Sequence, residues 1–443
     1  MRKAAFHNLG CKVNAYETEA MEQMLEAAGY EIVPFAPGAD VYVINTCSVT
    51  NIADRKSRQM LHRAKKMNPS AVVVAAGCYV QAAGKELAEK DEAVDIVIGN
   101  DRKRELPEIL ERYFGGQETE EVYLKDLVHP TEYEKLHIDR VAEHTRAFIK
   151  VQDGCNQFCS YCIIPYTRGR VRSRRPEDVL EEVRGLAAKG YREIVLTGIH
   201  LSSYGVDFGE EGPGLMELIG LIHQVDGVER IRLGSLEPRI ITEETARYMA
   251  GLKKLCPHFH LSLQSGCDET LERMNRKYTT AEYLEKCGIL RRWFDRPAIT
   301  TDVIVGFPGE TEEEFAATER FVEQVHFYEM HVFKYSRRKG TRADRMENQI
   351  PEPVKGTRSE KLLDLERRMS DEYRRMWLGE KVEVLLEEET VRDGIPVMTG
   401  CTREYVKCIL KKTESLEKGK MVKGTAVRLT DAGEMEVELD GEA

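Results

Sequence analysis

Three cysteines, Cys155, Cys159 and Cys162, stand at CxxxCxxC spacing and run straight into Ile163-Ile164-Pro165-Tyr166. That spacing can point three thiolates at one 4Fe-4S cluster. A cubane cluster usually takes four thiolates, and no fourth cysteine is near. Three ligands leave one iron open to a small molecule, which separates a catalytic cluster from a sealed electron carrier. The plainer readings are a structural zinc site or ordinary core thiols. Structural zinc asks for four closed ligands, usually paired Cys/His hooks, and no second hook is in view. Cys11, Cys47 and Cys78 form a second set of three. Each follows an apolar run, as in Asn45-Thr46-Cys47 and Ala76-Gly77-Cys78. Its plain alternative is three unrelated buried thiols, since cysteine is among the most buried residue types. Cys256, Cys267, Cys287, Cys401 and Cys408 read as ordinary core and barrel residues.

The elements that must carry these residues follow from periodicity. A chain of 443 residues forms two or three domains. In residues 1–114, apolar runs at Lys3–Leu9, Val41–Asn45, Ala71–Ala76 and Asp95–Ile98 alternate with helical patterns. This predicts an open parallel α/β sheet with helices on both faces. Ligands bind beyond the carboxyl ends of such strands, so three loops at one edge can gather Cys11, Cys47 and Cys78. Residues 115–146 are polar and read as a linker. From 147 to 371 six strand candidates alternate with helices: Ala147–Gln152, Ile194–Thr197, Arg230–Ser235, His258–Leu263, Ala298–Val305 and Phe327–Tyr335. Six units suggest a partial (β/α)6 barrel, with the Cys155–Cys162 loop at the carboxyl end where barrel sites form. Residues 372–443 alternate over short runs separated by turns such as Asp393-Gly394, as in a small β-barrel. The fold class is therefore α/β, closed by a C-terminal β-barrel.

Hydrophobic content of 42% and charged content of 32% describe a soluble globular protein. No run of eighteen apolar residues occurs, so no membrane span is expected. The first residues, Met1 to Asn8, lack the apolar centre of a signal peptide. Eleven cysteines in such a chain argue for reduced thiols and metal binding, and the expected compartment is the cytoplasm. A net charge of −11 argues against a nucleic-acid partner, but the total hides three basic clusters. Arg168, Arg170, Arg172, Arg174 and Arg175 form one. Lys334, Arg337, Arg338, Lys339, Arg342 and Arg345 form another. The third is Arg55, Lys56, Arg58, Arg63, Lys65 and Lys66. Charge runs usually mean a solvated face; their places after strand ends make them candidates for phosphate contacts. Residues 378–443 carry ten Lys and Arg against fifteen Asp and Glu, an unfavourable balance for RNA. Arg403, Tyr405, Lys407, Lys411 and Lys412 can still form a binding stripe. The alternative is a structural barrel that shapes the substrate entrance.

The cysteine loop after a first strand resembles the radical S-adenosylmethionine (radical SAM) superfamily. Asp302-Val303-Ile304-Val305-Gly306-Phe307-Pro308-Gly309-Glu310 resembles its fifth-strand motif GxIxGxxxE, keeping Ile304, Gly306 and Glu310 but placing Asp302 where the first glycine stands. The resemblance implies that this segment runs beside the adenine of SAM; alone, Gly-Phe-Pro-Gly is a turn. Thr197-Gly198-Ile199 takes the place of the second-strand glycine motif, which meets the methionine end. Ser235, Glu237 and Gln264, at the ends of the third and fourth strands, can bind the ribose or methionyl part, although such residues also cap helices. An α/β domain with three spaced cysteines, a radical SAM domain and a β module similar to the TRAM barrel together resemble the methylthiotransferases, over essentially the whole chain. His331 to Thr341 looks like the branch acting on N6-threonylcarbamoyladenosine at position 37, beside the tRNA anticodon.

The resemblance implies two 4Fe-4S clusters and SAM. The Cys155/Cys159/Cys162 cluster splits SAM to a 5′-deoxyadenosyl radical, and the Cys11/Cys47/Cys78 cluster presents sulfur that a second SAM methylates. The methylthio group ends on C2 of the adenine, whose C–H no side-chain base can open. The base must leave the anticodon stack. The implied partners are a tRNA anticodon stem-loop, an electron donor such as flavodoxin or ferredoxin, and a sulfur donor. The Arg168–Arg175 and Lys334–Arg345 runs are expected to grip phosphates, and Arg337 and Arg338 to meet the threonylcarbamoyl carboxylate. Other readings stay open: isopentenyladenosine in tRNA, an aspartate of a ribosomal protein, or a non-catalytic iron–sulfur electron carrier or RNA-binding protein. The Asp302–Glu310 motif speaks against the last, which has no need of an adenine site.

Overall fold

The computed structural model describes residues 1–117, 120, 122–127, 129, 132–141, 145–210 and 212–440. Strands β1 (Lys3–Asn8), β2 (Glu31–Val33), β3 (Val41–Thr46), β4 (Val72–Gly77), β5 (Ile96–Ile98) and β6 (Val122–Tyr123) form one sheet in the order β2-β1-β3-β4-β5-β6. All its pairs are parallel. Runs such as Val-Val-Val-Ala-Ala-Gly in β4 are buried throughout, because helices cover both faces of a parallel sheet. The register pairs Asn8 with Asn45 and Thr46 with Gly77. The carboxyl ends of β1, β3 and β4 therefore stand level. The stretch expected to be a linker supplies β6 and buries Leu127, Leu136, Ile138 and Val141; part of it lies outside the described residues.

In the second region β7 (Arg146–Asp153), β8 (Arg172–Ser173), β9 (Glu193–Gly198) and β10 (Arg230–Leu233) form a sheet in the order β10-β9-β7-β8. Strands β11 (His258–His260), β12 (Ala298–Val305) and β13 (Glu329–Lys334) form another. Parallel bridges Ile231 to Leu255 and Leu236 to Leu261 join the two. The six expected strands thus follow one another as a curved, open sheet. The helix Lys12–Ala27 of the first region lies against β7, and its Tyr16 and Ala20 enter the same core as Ala147, Ile149 and Val151.

The helix Glu352–Arg375, which runs past position 371, leads to a closed barrel of β14 (Lys381–Arg392), β15 (Ile395–Cys401), β16 (Lys407–Lys411), β17 (Met421–Leu429) and β18 (Met435–Leu439). It docks on the amino ends of the central strands. Arg230 donates to Cys401 O (3.0 Å) and Arg232 to Arg403 O (2.9 Å). Arg403, expected at phosphate, instead donates to Lys253 O and Leu255 O at 2.7 and 2.8 Å. Lys407 is exposed on β16. Among the described residues no helix is long and apolar enough to cross a membrane.

Candidate active site

Strand β7 delivers the first triad. After Asp153 the chain turns through Gly154 at φ +71°, where a Cβ would lie 1.9 Å from Arg170 O, so only glycine fits. The loop is then pinned from below: Ser160 N donates to Met274 O (3.0 Å), Ser160 Oγ to Arg273 O (2.8 Å) and Asn275 Nδ2 to Phe158 O (2.9 Å). Arg276 Nη1 donates to Cys159 Sγ at 3.4 Å, and the same guanidinium holds Tyr278 and Ser262 O. Burial raises the Cys155 thiol to about 11 and the Cys162 thiol to about 12. These side chains are neutral thiols at pH 7 and become thiolates when a metal supplies the charge.

Strands β1, β3 and β4 deliver the second triad at their level ends. Cys47 and Cys78 directly follow Thr46 and Gly77, the last residues of β3 and β4. Gly10, at φ +110°, lets the Cys11 loop pass so close that an added Cβ would sit 2.9 Å from Cys47 Cβ. Burial raises the Cys47 thiol to about 11, and the neighbouring Cys78 and Cys11 add to the rise. Arg168 Nε donates to Cys78 Sγ at 3.2 Å and Asn100 Nδ2 at 3.5 Å. Among the described residues no three cysteine sulfurs lie within 4.8 Å of one another, as ligands of a single zinc ion would. A cubane presents its ligated irons at separate corners and suits wider spacing. Each triad, with three thiols and nitrogen donors to its sulfurs, fits a 4Fe-4S cluster.

A buried ionic network joins the two triads. Glu17 accepts from Lys103 (2.6 Å), Lys150 (2.7 Å) and Arg168 (2.8 Å). Burial alone would raise its carboxyl, but Arg168, then Lys103 and Lys150, hold it well below the usual range. Asp153 pairs with Lys150 at 2.6 Å and Arg168 at 3.2 Å, and Arg172 with Asp101 at 2.7 Å. This corrects an expectation. Arg168, Arg172 and Arg174 are buried and bind internal carboxylates, so they do not reach RNA phosphates; Arg174 pairs with Glu182 at 2.5 Å. Only Arg170 and Arg175 of that run are exposed. Arg338 is likewise buried, donating to Asp54 (2.8 Å), Asn51 and Ser48 across the interface between the first and second regions. Arg337 and Lys339 stay exposed, with Arg337 on Asp344.

Two cavities open at the carboxyl ends of the central strands. One, about 200 Å³, is lined by the three thiols and by Ser235, Glu237, Gln264, His200 and Arg276. The other, about 240 Å³, is lined by Asp302, Ile304, Phe333 and, from the first region, Val49 and Thr50. They share Tyr161, Cys162, Ile164 and Gln264. Thr197 and Gly198 stand behind this wall, Gly198 against Gln152, and the next residues Ile199 and His200 form its surface. Gly306 and Glu310 are also absent from the lining. Glu310 accepts from Gly306 N (2.6 Å) and Arg358 (2.7 Å) and so braces the turn after β12.

Sequence reasoning missed four residues here. Arg276 and Glu17 carry no spacing signal, because their partners are distant in sequence. His200, whose ring burial and then Arg276 and Arg239 push down to about 4, is signalled only by its place after a strand. Lys12 follows Cys11 directly. Its ammonium lies 5.9 Å from the Phe148 ring centroid. Burial, then Arg146 and Arg232, lowers it to about 8. The helix Asn51–Met67, after Cys47, exposes Arg55, Lys56, Arg58, Arg63 and Lys66. Arg58 and Lys66 line a groove of about 1190 Å³ that reaches Lys339.

The description Radical SAM superfamily matches residues 149–322, and Uncharacterized protein family UPF0004 matches residues 3–99. The threonylcarbamoyladenosine tRNA methylthiotransferase MtaB of Bacillus subtilis (strain 168) is 42% identical over 437 residues, 98% of this chain and 95% of that protein. Its counterpart from Aquifex aeolicus (strain VF5) is 41% identical over 387 residues, 87% and 93% of the two chains. A tRNA-2-methylthio-N(6)-dimethylallyladenosine synthase from Clostridium novyi (strain NT) is 37% identical over 400 residues, 89% and 87%. Among solved structures, the radical S-adenosylmethionine methyltransferase TsrM of Kitasatospora setae superposes with a TM-score of 0.55 at 15% identity, covering 75% of this chain and 73% of that one. That likeness is one of fold.

Proposed function

This chain belongs to the radical SAM methylthiotransferase family, and from that premise we propose that it converts N6-threonylcarbamoyladenosine beside the tRNA anticodon to its 2-methylthio derivative. The carrying observation is the pair of three-cysteine sites at two sets of strand carboxyl ends, held together by the Glu17–Arg168 network. The choice of substrate is supported by the 42% and 41% identity to two enzymes named for threonylcarbamoyladenosine; others of that name, and those named for dimethylallyladenosine, stand at 37–38%.

When bound, two 4Fe-4S clusters and SAM supply the radical and the sulfur that no side chain can. Cys155, Cys159 and Cys162 hold one cluster, and Cys11, Cys47 and Cys78 the other. Ser235, Glu237 and Gln264 offer polar groups to the ribose and methionyl parts of SAM, while Ile304 and Asp302 flank the neighbouring space. His200, neutral at pH 7, lines the SAM side of the site without adding charge. Val49, Thr50 and Phe333 line the cavity between the two regions. The exposed cations of the helix Asn51–Met67, with Lys339, bind the phosphates of the anticodon stem-loop. The C-terminal barrel acts as a TRAM-like module, and the enzyme works in the cytoplasm with an electron donor such as flavodoxin or ferredoxin and a sulfur donor.

Nucleoside mass spectrometry of tRNA from a deletion strain tests this. The 2-methylthio-N6-threonylcarbamoyladenosine signal disappears and its unthiolated precursor accumulates. An unchanged signal, with loss of the isopentenyl counterpart instead, would transfer the assignment to that substrate.

A further inference from the structure

We propose that His260, Asp302 and His331 form a site for one divalent transition-metal ion of the zinc type, separate from both cysteine triads. The three residues come from the adjacent strands β11, β12 and β13. One ligand atom from each lies within 4.8 Å of the other two, a spread that a single ion can bridge. Among the described residues no other three His, Cys, Asp or Glu side chains meet in this way.

Register and alternation bring them together. His260 pairs with Thr300, and Asp302 with His331. Their neighbours Phe259, Leu261, Ile299, Val303 and Met330 enter the hydrophobic core. Successive side chains of a strand point to opposite faces, so the two imidazoles and the carboxylate share the other face. On that face Asp302, Ile304 and Phe333 line the cavity of about 240 Å³.

The ligands are also oriented. His260 Nδ1 lies 3.0 Å from Thr300 Oγ1, and its Nε2 lies 3.2 Å from Asp302 Oδ2. A hydrogen bond from Nδ1–H to the threonine hydroxyl leaves the Nε2 lone pair for a metal, the usual support of a ligating histidine. The His331 ring stacks beside it, with 6.0 Å between centroids and 27° between planes. Asp302 stands where the motif it resembles has glycine, and running beside an adenine does not call for a carboxylate there. The side chains of His260 and Asp302 keep 12% and 26% exposure and His331 is exposed, so an ion has a way in. Two imidazoles with one carboxylate suit zinc or ferrous iron and disfavour magnesium and calcium, which ask for oxygen. Three protein ligands leave a coordination position for water or for an oxygen atom of a molecule in the cavity.

The test uses holoenzyme carrying both clusters, dialysed anaerobically against micromolar zinc chloride and read by elemental analysis. Wild type is expected to retain about one zinc per chain at unchanged iron content. His331→Ala, a change at an exposed residue, should abolish that retention. Thr300→Val should weaken it by about 10- to 100-fold. X-ray absorption at the zinc edge of wild type needs no variant. Nitrogen and oxygen neighbours at about 2.0–2.2 Å are expected, whereas sulfur at about 2.3 Å would put the ion on cysteines and overturn the proposal. Zinc retained equally by wild type and His331→Ala, or not retained by wild type, also overturns it and leaves His260 and Asp302 as a plain hydrogen-bonded pair.

Discussion

Cys155, Cys159 and Cys162 come from one loop of eight residues, whereas Cys11, Cys47 and Cys78 come from three strand ends spread over sixty-eight. The first loop carries all three thiols by itself and is fastened to one distant segment: Ser160 donates to Met274 O and Arg273 O, and Phe158 O accepts from Asn275. The second set exists only because β1, β3 and β4 end level, so the whole sheet is its scaffold. Each has one arginine on one sulfur, but the arginines differ. Arg276 sits among tyrosines and a backbone carbonyl, while Arg168 is locked among Glu17, Asp153 and Asn14. A cluster site built locally can be tuned by its neighbours; one built by a sheet depends on the fold around it.

The sharpest way to break that comparison is to remove one thiol from each triad. Cys159→Ala should lose half the iron and all cleavage of SAM to 5′-deoxyadenosine. Cys47→Ala should lose the other half of the iron, keep SAM cleavage and yield no methylthiolated product. Iron and sulfide analysis with product chromatography reads both, and two variants with the same missing cluster would show that the triads are not independent.

Replacing the two arginines comes next. Arg168→Met leaves Asp153 and Glu17 short of a partner in a fully buried setting, and should cost about 3–5 kcal/mol in unfolding free energy. Arg276→Met should cost less, about 1–3 kcal/mol, but should move the reduction potential of the Cys155/Cys159/Cys162 cluster to a more negative value, because a cationic donor to its sulfur is gone. Denaturant unfolding and potentiometric titration separate these effects. Equal stability losses would erase the distinction.

The gathering of Cys155, Cys159 and Cys162 in one loop was legible in the sequence, because the three thiols lie within eight residues. The dispersed triad was legible through strand-end position, since parallel strands of similar length and shared register end together. The six central strands and the existence of a C-terminal barrel followed from period and turns, but the short strands Glu31–Val33 and Arg172–Ser173, the last barrel strand Met435–Leu439 and the helices Glu312–Val325 and Glu352–Arg375 were not read from the sequence. What stayed hidden depends on partners far apart in sequence. The Arg168–Arg175 run looks like a solvated basic stripe, and nothing local announces that Glu17, 151 residues away, buries its first member. Glu310 and Gly306 carry a motif, yet here they brace a turn and do not face the cavity. The strand at Val122–Tyr123 is too short to alternate visibly.

The network between the triads also has a pH signature. The folded-state pKa of Glu17 is depressed. Its stabilisation is therefore present above the unfolded carboxylate value, about 4.3, and is lost as pH falls below that toward the folded value. Wild type should lose stability on acidification through about pH 4. Glu17→Gln should start lower at pH 7 and fall less steeply. Parallel acid profiles for the two proteins would remove Glu17 from the account.

The smallest expected effect separates the basic segments that follow each triad. After Cys47 the helix Asn51–Met67 keeps Arg55, Lys56 and Arg63 exposed; after Cys162 the chain buries Arg168, Arg172 and Arg174. Only exposed cations can release counterions from RNA. Arg55→Ala combined with Lys56→Ala should weaken binding of the anticodon stem-loop several-fold and reduce the log–log salt slope by about 1–2, with unfolding free energy within about 0.5 kcal/mol of wild type, as for surface changes generally. Arg172→Ala should do the reverse, lowering stability through loss of the Asp101 pair while leaving the salt slope alone. An unchanged slope in the first variant would move the RNA face off this helix, and a changed slope in the second would mean that the buried run opens when RNA binds.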